Sequence, residues 1–164
     1  MIGLLMALAQ APTAHAAHFT GNDSVDNREI RYVDNTVWND SLTNGVSVWN
    51  AVGSVDLKPD IATTAADLVL GDYSASDGLC GFMRYEVGAD DIWLNHAYYN
   101  GATTSRRRAC TAHEIGHAYG LGDHTYSTWN AALMDSCPVC YSSTDPMPTG
   151  PASHDRYDYH QLWG

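Results

Sequence analysis

Cationic side chains are scarce in this chain: 8 Lys and Arg stand against 19 Asp and Glu, a formal net charge of −11. So acidic a surface repels phosphodiester backbones and anionic headgroups, which excludes nucleic acid and acidic membranes as partners. The one basic run, Arg106-Arg107-Arg108, reads as an exposed first helical turn or a contact with nearby acids. No internal repeat and no low-complexity block is present. The apolar stretch from Ile2 to Ala9 is too short to cross a bilayer. Cysteine is limited to Cys80, Cys110, Cys137 and Cys140. No second C-x-x-C joins Cys137 and Cys140 to complete a structural zinc site, and no thioredoxin-like strand–helix context makes them a redox pair. Glutamate is absent after Glu114.

What is present fits one compact exported domain. At 164 residues and 45% hydrophobic, the chain can bury one core and not two. Ile2 to Ala9 followed by Ala14-His15-Ala16 is the apolar core and small-x-small cleavage site of an export signal over 1–16, although no Lys or Arg precedes it. Residues 17–164 are then the mature domain. Four cysteines suit an oxidising compartment. Cys80 with Cys110 and Cys137 with Cys140 is the preferred of three possible pairings.

The chemistry sits at His113-Glu114-Ile115-Gly116-His117-Ala118-Tyr119-Gly120-Leu121-Gly122-Asp123. Helical residues four apart share a face, so His113 and His117 aim two imidazoles at one point, as a shared metal ion requires. Glu114 lies beside the first imidazole without needing to bind the ion, the place for a general base. Gly120 can take the left-handed conformation that ends a helix, after which Asp123 can return as a third ligand. Three protein ligands leave one zinc position open, the mark of a catalytic site. Met134 follows Asp123 by 11 residues; alone it would be a core filler.

With Leu133-Met134 as the Met-turn and the closing Gln161-Leu162-Trp163, this stretch through His124 resembles the metzincin zinc metalloproteases, in particular the snapalysin type, in which Asp replaces the usual third histidine. The resemblance implies one catalytic Zn2+ held by His113, His117 and Asp123, with Met134 beneath it. His124 follows Asp123 directly, but the metzincin spacing falls on Asp123, and His124 would need a turn one residue longer. The missing downstream glutamate sets aside a thermolysin-like ligand set. No cysteine precedes Cys80, so a cysteine-switch propeptide is not expected. Zinc in such a site polarises the scissile carbonyl and acidifies a water to a pKa of about 7. Glu114 would take the water's proton and return it to the leaving amine. Tyr126 is the candidate phenol for the oxyanion, with Tyr119 and Tyr141 as alternatives. An aspartate ligand lowers the net charge of the site, so activity should rise toward neutral or mildly alkaline pH. The implied protein is a secreted monomeric endopeptidase acting on proteins or peptides. Its rivals are a secreted zinc-binding module without turnover and a disulfide-bonded binding domain with incidental histidines.

The resemblance further implies an α+β fold: a twisted, mostly parallel sheet with an antiparallel edge strand, two main helices, and an irregular C-terminal part with the Met-turn and a final helix. Hydrophobic periodicity places strands at Glu29–Val33, Val55–Leu57, Asp67–Leu70, Gly81–Val87 and Asp91–Tyr98. It places helices at Thr36–Val52, over the motif with Thr104 or Ser105 as cap, and at about Ser153–Trp163. Gly81–Val87 or Asp91–Tyr98 would be the edge on which extended substrate pairs. His96 lacks ligand spacing and reads as structural.

Overall fold

The computed structural model describes residues 18–125, 132–136 and 148–164. The expected signal segment 1–16, Tyr126, Cys137, Cys140 and Tyr141 lie outside the described residues. The elements run β1 (Glu29–Asp34), α1 (Asn39–Asn50), β2 (Asp56–Pro59), β3 (Leu68–Tyr73), β4 (Gly81–Arg84), β5 (Asp90–Asn95), α2 (His96–Tyr99), α3 (Thr104–Ala118) and α4 (Ser153–Trp163). The five strands form one sheet in the order β2-β1-β3-β5-β4. Neighbouring strands are parallel except β4, which runs antiparallel to β5 at the edge. The α+β architecture therefore matches the expectation, and β4 is the antiparallel edge. No helix among the described residues is long and apolar enough to cross a membrane.

Strand alternation sends Ile30, Leu57, Leu68, Leu70, Ile92 and Leu94 into the core, where they meet α1 and α3. The two helices cross closely because Gly45 has no side chain: a Cβ there would stand 2.6 Å from Ile115 Cδ1. Trp49 fills the crossing and donates its indole N–H to Ala112 O at 2.7 Å. One Cys pair, Cys80–Cys110, bonds the approach to β4 to helix α3.

Several boundaries differ from the periodicity reading: β4 stops at Arg84 and not Val87, β3 runs on to Tyr73 and not Leu70, and three others have a visible cause. Helix α1 begins at Asn39, not Thr36, because Asp72 holds the Thr36 hydroxyl and the Val37 amide in a turn; Val37 is left exposed. Strand β5 ends at Asn95, where the Asn95 side chain accepts from Ala97 N and caps the short α2. Helix α3 is capped by Thr103, one residue earlier than expected, whose hydroxyl accepts from Arg106 N. Arg107 folds back on the Tyr99 and Ala102 carbonyls and Arg108 lies 3.8 Å from Asp40, as a helix-start contact and not a patch. His96 packs its ring against Trp38.

Candidate metal centre

Helix α3 presents His113 and His117 on one face, and the chain that follows it is shaped by glycine. Gly120 at φ +85° closes the helix: Gly120 N donates to His117 O and Leu121 N to Gly116 O, the paired bonds of a Schellman end. The outgoing chain pairs with the N-terminal segment through Thr20 N to Gly120 O and Gly122 N to His18 O. A side chain at Gly122 would press on this neighbour, with His18 and Phe19 backbone atoms 3.3 Å from its Cβ.

Asp123 is thereby returned to the two imidazoles. Its Oδ1 lies 3.2 Å from His113 Nε2 and 3.6 Å from His117 Nε2. Donors bound to one tetrahedral zinc at about 2.0 Å stand about 3.3 Å apart, so the three atoms suit a common ion. Each imidazole is oriented through its other nitrogen: His113 Nδ1 meets Leu133 O and His117 Nδ1 meets Leu121 O, both at 2.8 Å. Nδ1–H donation to a carbonyl leaves Nε2 with the lone pair a metal needs. The donor set, two such nitrogens and a carboxylate, fits zinc.

Met134 lies fully buried under the motif helix. A Cβ on Gly116 would overlap the Met134 sulfur and stand 2.9 Å from Trp49 Cζ2, so this motif glycine makes room for the methionine. The turn is held from below by Asp155 of α4, whose buried carboxylate accepts from Leu133 N at 2.8 Å, Met134 N at 3.0 Å and Ala152 N at 2.7 Å. From above, His124 N donates to Met134 O and Ser136 N to His124 O. Asp155 escaped the sequence reading; its only signal was an acid in the first turn of the last helix.

Glu114 is buried, 5% exposed, at the foot of β4. A Cβ on Gly81 would come within 3.1 Å of Glu114 Cγ, so glycine at the start of the edge strand admits the carboxyl. Burial pushes the Glu114 carboxyl above the ordinary range; Asp123 adds to this while His113 and His117 oppose it. Burial disfavours charge on His113, but the Asp123 hydrogen bond, Glu114 and the Leu133 carbonyl outweigh it and raise His113 to about 9. The His113 hydrogen bond holds Asp123 below its usual value against partial burial. A cleft of about 520 Å³ runs past these groups along Leu79–Met83, walled by Thr20, Tyr85 and Ser136. Tyr85 donates its hydroxyl to His117 O at 2.7 Å, a second tie on the helix end that the sequence reading missed. His124 does not join this group: its Nε2 lies 3.0 Å from Asp158, in a separate cluster. Tyr119 is fully buried against Trp49 and Tyr159 and is not among the residues that line the cleft.

No protein-family profile matches the chain. An extracellular small neutral protease of Streptomyces lividans is 30% identical over 127 residues, 77% of this chain and 47% of that protein. The chain thus spans about half the length of the curated relative it matches. Among solved structures, a chain of the GM1-bound ECX AB5 holotoxin overlays at TM-score 0.62 with 14% identity, over 90% of this chain and 86% of that one. A looser overlay, TM-score 0.45 with 14% identity, covers 79% of this chain and 99% of the archaemetzincin of Archaeoglobus fulgidus complexed with malonate. The chain is thus similar in sequence to a small neutral protease over 77% of its length, and it shares its fold with the holotoxin chain.

Proposed function

We propose that the chain is a secreted zinc endopeptidase, with an export signal over 1–16 and a single monomeric catalytic domain over 17–164 that acts on proteins or peptides. The observation that carries the reading is the convergence of His113 Nε2, His117 Nε2 and Asp123 Oδ1 within 3.2–3.6 Å, beside a buried glutamate in an open cleft. The protease relative supports it.

Zinc bound by these three residues would polarise the scissile carbonyl and acidify the attacking water. Leu133 O and Leu121 O keep the two imidazoles in the tautomer that binds. Glu114 accepts the water's proton and delivers it to the departing amine; the burial that raises its proton affinity suits a group that must both take and give. Strand β4 has β5 on one side and no strand on its other side among the described residues. An extended peptide can add there by backbone hydrogen bonds, which carries the bond to be cut past Glu114. Tyr126 is proposed as the phenol that stabilises the oxyanion.

The test is Glu114→Gln assayed on casein with zinc content measured in parallel. Retained zinc with hydrolysis cut by about 10²–10⁴ supports the role. Loss of both makes Glu114 structural, and loss of neither ends the mechanism. A wild-type protein that binds zinc without turnover would be a binding module.

A further inference from the structure

The three donors of the proposed active site are not the only converging ligands. His18, His124, His154 and Asp158 also bring one donor atom each within 4.8 Å of one another. They come from the N-terminal segment, the residue after Asp123, and one face of α4, where His154 and Asp158 repeat the four-residue spacing of the motif histidines. All three histidines address the same carboxylate oxygen: Asp158 Oδ2 lies 3.0 Å from His124 Nε2 and 3.8 Å from both His154 Nε2 and His18 Nδ1. Those separations bracket the ~3.3 Å expected between donors on one tetrahedral zinc.

The burial of Asp158 and His124 at the centre of the cluster asks for a cation. Asp158 is 0% exposed and His124 3%. Asp158 Oδ1, His18 Nδ1 and His124 Nδ1 are buried without a hydrogen-bond partner. Among the described residues the ion-pairing partners of Asp158 are these imidazoles, with no Lys or Arg. An ionised carboxylate taken from water needs a full positive charge or a metal beside it. On the far side of His124, Asp155 Oδ1 lies 3.8 Å from Nδ1, where an outer carboxylate orients a ligating imidazole. The rings of His124 and His154 stack with centroids 4.2 Å apart, so an ion between them would splay them slightly.

We propose that His18, His124, His154 and Asp158 form a second, structural zinc site. Three imidazole nitrogens and one carboxylate oxygen complete a tetrahedron and leave no open position, which suits structure and not catalysis. Nitrogen-rich donors select zinc over calcium or magnesium, which take oxygen. The ion would staple the N-terminal segment and α4 to the loop that carries Asp123, joining residues 140 apart. This inference does not rest on the proposed protease activity, since its readout is metal content.

The experiment measures zinc per chain in the purified protein, in His154→Ala and in His117→Ala, each dialysed against zinc-free buffer. The site predicts two zinc ions in the wild type and one in each variant, with His154→Ala melting at a lower temperature. One ion in the wild type that His154→Ala retains would overturn it, as would two ions retained by that variant. Should the variant not fold, anomalous diffraction at the zinc edge from wild-type crystals decides. A peak within about 2 Å of His124 Nε2 and Asp158 Oδ2 supports the site. A map with zinc at His113 and His117 only refutes it.

Discussion

Two groups of histidine and aspartate lie back to back around the Asp123–His124 step, and they differ in what surrounds them. The first has three donors, opens on a cleft, and ends in an aspartate whose side chain is 52% exposed. The second has four donors around an aspartate at 0% exposure, with no cleft lining among its members. An open third-ligand site can admit water and a substrate carbonyl; a closed four-ligand site can only hold elements together. Adjacent residues thus face opposite ways: Asp123 turns to helix α3, and His124 turns to α4.

The two groups should differ most at Glu114, which belongs to the open group alone. Glu114→Gln should lower casein hydrolysis by about 10²–10⁴ and leave zinc content at both groups unchanged. Next comes Asp155, which touches both: it holds the Leu133 and Met134 amides and faces His124. Asp155→Ala leaves buried amides without acceptors and should cost at least about 3 kcal/mol of stability. In chemical denaturation Asp155→Asn should recover part of that, since an amide oxygen still accepts. Full stability in Asp155→Ala would show that the Leu133–Met134 turn is held by other means. A smaller effect is expected from Gly116→Ala, which crowds Met134 and Trp49 beneath the open group only. Overpacking there should cost about 1–3 kcal/mol, or about 2–4 °C of melting temperature per kcal/mol. His154→Ala zinc content should be untouched by the same change if the two groups are independent.

The smallest effect is in pH. In zinc-free protein the His113–Asp123 contact keeps His113 protonated to about 9, above its ordinary 6.5. Its contribution is therefore complete below pH 6.5 and lost as pH rises through about 9. Zinc must displace that proton, so affinity at the open group should increase over the same window. A melting temperature of zinc-free protein that rises between pH 6.5 and 9 would contradict this.

Legibility followed sequence distance. The open group was readable because His113, Glu114 and His117 lie on one helix and Asp123 follows after a glycine stop, so local geometry alone brings them together. The alternating strands and the final helix were readable for the same reason. Where β5 stops was not: the Asn95 cap that turns the chain depends on partners at Ala75, Asp77 and Leu79, in a loop that alternation does not see. The strand order was equally out of reach of periodicity, because β1 pairs with β3 across a helix and another strand. The second group was invisible, since His18 and Asp158 are 140 residues apart and only the folded chain brings them together.

The most direct measurement is casein hydrolysis by the purified protein before chelation, after zinc is stripped, and after zinc is restored, in the wild type and in Asp123→Ala. Full loss on stripping and recovery by zinc are expected in the wild type, with Asp123→Ala recovering poorly at the same zinc concentration. Hydrolysis that survives complete removal of zinc, or that Asp123→Ala regains as readily as the wild type, would contradict it.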